Sequence, residues 1–385
     1  MSFRLSETEV VVTGMGLVTP LGNELDTLWQ SLLAGETAVR HWDDLADEGF
    51  RIPLMARVTS IEGEDADRGS RMAVVAAQHA LANAALEPEG ITGVFAGTTM
   101  GESIAFEQAA TGGTNDLSKA TAKVFPQRIH DELGLTGPVR AYATACAAGN
   151  YAIGAAAQAI AAGQIDYALA GGVEPISRIA LAGFSRSRAM SSDLCRPFDR
   201  QRSGMQLGEA AAFLLLERKQ SALARGASPL SRVISLGLSC DAYHPTAPSP
   251  DGEGMARAMN NALEQADLLP ADIDWICAHG SGTRASDAAE AKAIQQVFGE
   301  TSPPVSAIKG ALGHSMGAAT AVEAIVAVLA LQNKCLPPTV NLQEVDPEFF
   351  LDIFNVPRET DDLKLALNCG YGFGGLNSAL VLEVL

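Results

Sequence analysis

At 385 residues, 47% hydrophobic and 19% charged, the chain can bury a large core, as two or three domain-sized units or one composite domain. A formal charge of -18 argues against nucleic-acid or anionic-membrane binding, so an acidic partner needs a local basic patch to dock on. Six cysteines with no C-x-x-C pair argue against a disulfide framework or a structural zinc. No segment is expected to offer the roughly 18 apolar residues of a membrane span, and MSFRLSETEVVVTG lacks a signal-like run, so a cytoplasmic protein is expected.

Along the chain, short apolar runs alternate with helical patterns. VVVTG (Val10 to Gly14) predicts a buried strand, stopped by glycine, and ELDTLWQSLLAG (Glu24 to Gly35) a helix. The segment Ala80 to Gly101 then reads as a helix end, a proline-marked loop, a strand and a Gly/Thr turn. DYALAGG (Asp166 to Gly172) predicts another strand, and KQSALARGASPL (Lys219 to Leu230) a surface connection. In the second half, RVISLGLS (Arg232 to Ser239) and LALNCG (Leu365 to Gly370) predict strands, and GMARAMNNALEQADL (Gly254 to Leu268) a helix.

Two of these stretches are echoes. Ala80, Leu81, Ala84, Leu86, Pro88, Ile91 and Ala96 recur in order as Ala262, Leu263, Ala266, Leu268, Pro270, Ile273 and Ala278. GEAAAFLLLE is answered by GGLNSALVLEVL at the end of the chain. The repeats predict an α/β fold of two duplicated halves, residues 1–228 and 229–385, with helices covering the sheets.

Cys146 lies in TACAAGNYAIG, at a predicted helix start among alanines and glycines. Unpaired backbone N–H groups and the helix dipole there favour thiolate, the reactive form, and the small neighbours leave room for a substrate. AHGSGT puts His279 in the turn after a predicted strand. SAIKGALGH puts Lys309 and His314 before an Ala-rich helix. NCGYGFGGLN (Asn368 to Asn377) is glycine-rich enough to bring N–H groups close to a ligand.

With these residues in view, the chain resembles the β-ketoacyl-acyl-carrier-protein synthases of the thiolase superfamily, especially the elongating type II enzymes. VVVTGMGLVTPLGN, TACAAG, RPFDRQRSGMQLGEAA, SCDAYHPTAPSPDGEGM, AHGSGT, SAIKGALGH and GYGFGG fall in the family's order from end to end. The resemblance implies a layered αβαβα thiolase-like fold. It implies Cys146 as acyl-accepting nucleophile, His279 and His314 as the paired histidines, and Lys309 as the active-site lysine. It also implies an oxyanion hole from the N–H groups of Cys146 and Phe373, with Phe373 gating the acyl pocket. Ser281 and Thr283 would bind the pantetheine arm, Met100 would stop the acyl chain, and Arg188 would touch the carrier.

The implied reaction is decarboxylative Claisen condensation of an acyl-Cys146 thioester with malonyl carrier, in fatty acid or polyketide elongation. It needs no metal or organic cofactor, since the substrates ride on the phosphopantetheine of acyl carrier protein. The implied partners are that carrier and a second ketosynthase-like chain, in a homodimer or as a heterodimer with a chain-length factor. An alternative is the ketosynthase subunit of a dedicated type II polyketide or aryl-polyene pathway.

The chain departs from the family at Ser281 (usually Thr), Thr320 (usually Gly), Leu376 (usually Thr) and Ser203 (usually Asp). A thiolase is the enzymatic rival, with Cys369 near its second cysteine, but thiolases carry Asn at the His279 position. A chain-length-factor-like subunit or an acyl-carrier-holding protein is the non-enzymatic rival, and Cys146 with both histidines argues against it. Arg186, Arg188, Arg196, Arg200 and Arg202 are expected to form the basic patch.

Overall fold

The computed structural model describes residues 8–87, 93–113 and 117–385. The repeat positions Pro88 and Ile91 lie outside the described residues. Strand β1 (Val10–Val18) overruns the expected stop at Gly14. Gly14 and Gly16 are where helix α1 (Arg68–Asn83) presses on the strand, and a Cβ on either would collide with the carbonyl oxygens of Ala80 or Ala76. The glycines are a contact face for a helix, not a strand end.

The other strands of the main sheet are β2 (Val94–Gly97), β3 (Val139–Tyr142), β4 (Tyr167–Glu174), β5 (Ala210–Arg218) and β6 (Ser231–Cys240). They are followed by β7 (Trp275–Cys277), β8 (Val305–Ser306), β9 (Leu365–Gly372) and β10 (Leu376–Val384). In space they run β8-β7-β9-β10-β6-β1-β5-β4-β2-β3. Each half repeats one plan. β1 is antiparallel to β5 and β5 to β4, while β4, β2 and β3 are parallel. β6, β10, β9, β7 and β8 repeat these senses in the same order. Val10–Val12 pair with Ser231–Val233, which joins the two sets of five. The proposed seam at 228/229 falls between a helix, Lys219–Ala224, and β6.

Helices set the layers. α1 lies on the outer face of β1, β5 and β4, and α3 (Glu253–Ala266) on that of β6 and β10. Between the two sets lie α2 (Ala148–Ala161) and α4 (Ala319–Asn333), packed on each other and on strands of both halves. The result is the expected αβαβα stack. Strand β5 shows how its sequence serves two layers at once. Ala211, Phe213 and Leu215 enter the outer core with α1, whereas Ala210, Ala212, Leu214 and Leu216 enter the central core. A strand buried on both faces loses polar alternation and reads as a continuous apolar run.

Helix α4 is buried from Ala319 to Leu331 and, apart from Thr320 and Glu323, is apolar on every side. The window Met316–Asn333 meets the length and composition of a membrane span, contrary to the expectation that no segment would. Its burial explains this: 89% of the window lies inside the fold, which is the environment of a central-layer helix.

Candidate active site

Cys146 is delivered by a strained turn. After β3 the chain enters a short 3-10 turn, Ala145–Ala147, that leads into α2. Ala145 takes φ +50°, a left-handed conformation costing an L-residue about 1–3 kcal/mol. Neighbours over-determine it. The end of β9 presses against the turn so closely that a Cβ on Gly372 would stand 2.9 Å from the Ala145 Cβ and 3.1 Å from the Cys146 nitrogen. The backbone N–H groups of Phe373 and Cys146 lie near the sulfur and pull its ionisation toward the charged form.

The thiol is nevertheless not poised as thiolate, which corrects the expectation from the helix start. Burial pushes it up to about 12, against the opposing pull of the Lys309 charge and the two N–H groups. Desolvation outweighs the dipole here because Cys146 is only 6% exposed.

His279 follows β7 in a turn held by two buried carboxylates of the helix Arg284–Phe298. Glu290 accepts the N–H groups of His279 and Gly280, each at 2.8 Å. Asp287 accepts those of Gly282 and Phe198 at 3.1 and 2.8 Å. The sequence reading passed over this pair; their i, i+3 spacing just after AHGSGT was the available signal.

The two imidazoles lie edge to face, with ring centroids 5.2 Å apart. The Nδ1 of His279 accepts the Tyr371 N–H at 3.4 Å, and the Nδ1 of His314 accepts the Met316 N–H at 3.1 Å. A neutral ring that accepts at Nδ1 carries its proton on Nε2, so both rings are Nε2–H donors. Burial, and then the Lys309 charge, hold both rings well below the ordinary histidine range.

Lys309 stands behind the histidines. Its Nζ donates to the His279 carbonyl oxygen at 2.5 Å and to the Glu323 carboxylate on α4, and both side chains are almost wholly buried. Glu323, too, was missed from sequence.

Cys146, His279, His314, Ser281, Thr283, Arg188 and Phe373 line one cleft of about 320 Å³. The Ser281 and Thr283 hydroxyls bond each other at 2.9 Å. Phe373, 39% exposed, tilts against Phe184 with ring centroids 5.3 Å apart at the cleft wall. Met100 does not line the cleft. It packs on a methionine-rich cluster (Met55, Met190, Met205, Met316) that shares Met205 with the cleft wall. Its N–H donates to the buried carboxylate of Glu174 at 2.9 Å. Cys369 is fully buried in the outer core with α3, away from the cleft lining, where a thiolase reading would need it.

The expected patch of five arginines is smaller than read. Arg196 pairs with Asp193, Arg200 with Glu344 and Arg202 with Asp346. Acids neutralise three of the five, and two of those acids, Glu344 and Asp346, come from far along the chain. Arg186 and Arg188 have no ion pair among the described residues, and with Arg51 they border a surface depression beside the cleft.

Comparison with known proteins supplies the family. The β-ketoacyl synthase N-terminal domain matches residues 7–222 and the C-terminal domain residues 230–343. A 3-oxoacyl-[acyl-carrier-protein] synthase 2 of Staphylococcus aureus (strain N315) is 36% identical, covering 97% of this chain and 98% of that one. The solved ishigamide ketosynthase/chain length factor superposes with a TM-score of 0.92 at 37% identity, covering 98% and 99% of the two chains. A type II PKS acyl-carrier protein in complex with its ketosynthase bound to the hexaketide gives 0.91 at 28% identity, covering 98% and 99%. The Cys146 turn, two Nε2–H histidines and a duplicated five-layer fold thus coincide with sequence likeness along nearly the whole chain, which belongs to the β-ketoacyl synthase family.

Proposed function

We propose that this β-ketoacyl synthase elongates a carrier-bound acyl chain through an acyl-Cys146 intermediate. The observation that carries the reading is the convergence of the Cys146 sulfur, the two backbone N–H donors and the two Nε2–H imidazoles on one cleft.

In the first stage, the Cys146 sulfur attacks an acyl-carrier thioester. The carbonyl oxygen becomes an oxyanion held by the N–H groups of Cys146 and Phe373. The carrier thiolate leaves and takes up the proton that Cys146 gave up. The second carrier then brings a malonyl group, whose carboxylate departs as carbon dioxide. The resulting enolate oxygen faces the Nε2–H groups of His279 and His314, and each such donor is worth about 3–4 kcal/mol. The carbanion attacks the acyl-Cys146 carbonyl, and collapse releases the sulfur as thiolate, which takes a proton from water. Neutral rings suit this role, because each already carries its proton on Nε2 and need not gain one before it can donate. Phosphopantetheine enters only as the arm of the substrates, along Ser281 and Thr283.

Arg188, with Arg186 and Arg51, would receive the acidic carrier. A second ketosynthase-like chain would cover the exposed apolar side chains Phe106, Leu117 and Ile179. Similarity to the ishigamide ketosynthase/chain length factor favours a heterodimer in a dedicated polyketide pathway as the second reading. A homodimer in fatty acid elongation is the first. Met100 as acyl-chain stop, Phe373 as gate and a cytoplasmic location belong to the same proposal.

Mass spectrometry after incubation with acyl carrier should show an acyl adduct that disappears in Cys146→Ala. His279→Ala should still form the adduct, yet lose about 100- to 1,000-fold in carbon dioxide release from malonyl carrier. Failure of the wild-type chain to acylate would overturn the reading.

A further inference from the structure

Where α2, α4 and β9 meet, four polar side chains are sealed from solvent: Asn150, Thr320, Asn368 and Ser378. Their bonds link the three elements, although the Asn368 Oδ1 is buried without a partner. The Thr320 Oγ1 accepts the backbone N–H of Asn150 at 2.9 Å, in the first turn of α2. The Asn150 side chain donates to the Asn368 carbonyl oxygen at 3.1 Å and to the Ser378 Oγ at 3.2 Å. It accepts from the Asn368 amide at 3.0 Å, and that same amide donates to the Thr320 carbonyl oxygen at 2.8 Å.

The surroundings leave no slack. A Cβ on Gly149 would stand 2.6 Å from the Ala321 nitrogen and 2.8 Å from the Thr320 Oγ1, so α2 and α4 touch backbone to backbone. The Thr320 methyl fills the space over Gly370, which in turn abuts Ala147 beside the nucleophile. A first-turn N–H of a helix has no partner within that helix, and in a dry site an unpaired one costs about 1–3 kcal/mol. The hydroxyl at position 320, where the family usually has glycine, satisfies it from another helix.

We propose that Thr320, Asn150 and Asn368 are positioning residues. Together they lock the Cys146 helix, the helix after His314 and the glycine-rich loop into one register, and so keep the Cys146 turn and the loop that carries Phe373 pressed together. This rests on the acyl-Cys146 reading. Asn150 is one helical turn past Cys146, Thr320 lies six residues after His314, and Asn368 lies five before Phe373, so one network reaches all three parts of the site.

Thr320→Val keeps the branched shape and removes the acceptor; Thr320→Ser restores it. Asn150→Ala, which cuts the side-chain links alone, serves as a second probe should Thr320→Val fold poorly. In Thr320→Val and Asn150→Ala, the acylation rate per titrated Cys146 should fall about tenfold with KM unchanged, and iodoacetamide labelling of Cys146 should slow in parallel. Thr320→Ser should recover both rates to within about threefold. Unchanged rates per site alongside a lower melting temperature, or a Ser variant as slow as the Val variant, would overturn the lock. Labelling needs no carrier, so it still decides the matter if the wild-type chain takes no acyl group.

Discussion

Lys309→Met is the perturbation that tests the electrostatic base of the site most sharply. It removes the only cation that contacts the buried Glu323 carboxylate among the described residues, and leaves that acid 1% exposed with nothing to balance it. Breaking a buried pair from one side typically costs about 3–5 kcal/mol, whereas replacing both partners by apolar groups is close to neutral. An unfolding entropy near 2.1 cal/mol/K per residue gives about 0.8 kcal/mol/K for 385 residues. The single variant should therefore melt about 4–6 °C lower, and Lys309→Met/Glu323→Leu should recover most of that loss. Catalysis should not recover with it. The His279 carbonyl has lost its 2.5 Å anchor, so carbon dioxide release from malonyl carrier should stay about tenfold below wild type. Scanning calorimetry and a carbon dioxide assay on the three variants read the two effects separately. A double variant that loses the sum of the two single losses would refute the coupling; one with full turnover would refute the anchoring role.

Arg188→Glu should raise the KM for carrier-bound substrates by about tenfold and leave turnover of small thioesters intact, an effect that fades at high salt; equal loss on both substrates would sink the docking assignment. Stability should rise as pH falls from 8.5 to 6.5. Burial raises Glu290 to about 8, Glu102, Glu174 and Glu323 to about 7, and Asp287 to about 6. Folding therefore binds protons in that window, and the stability they contribute is lost as pH rises through those values. His279 and His314, with lowered values, begin to oppose the trend as pH falls toward the ordinary histidine value of 6.5 and oppose it fully below that. A melting temperature that drops between pH 8.5 and 6.5 would contradict this sign.

Motif-bearing turns were legible in the sequence because their chemistry and glycine spacing are local. Cys146, His279, His314 and Phe373 stand together as the motifs implied, and the repeats announced the duplicated sheet. What stayed hidden was set by contacts between distant segments. Gly14 reads as a strand end until α1 is seen lying on it. The arginines near Arg188 read as free until Glu344 and Asp346 arrive from well over a hundred residues away. The thiol's resistance to ionisation is likewise a property of enclosure, and no stretch of sequence around Cys146 states how dry its surroundings are. Thr320 looked like a lapse from the family pattern until Asn150 was found beneath it.

The two halves carry matching turns at their centre. Met316, at φ +41°, opens a 3-10 turn before α4 just as Ala145 does before α2, so Gly317 is the counterpart of Cys146. A substituent on Gly317 would run into the backbone of Thr98 and Thr99. Duplication thus furnished two cradles for a nucleophile, and crowding shut one of them. On the proposed reading, that asymmetry leaves each polypeptide one acylation point, with the vacated twin as masonry beneath His314.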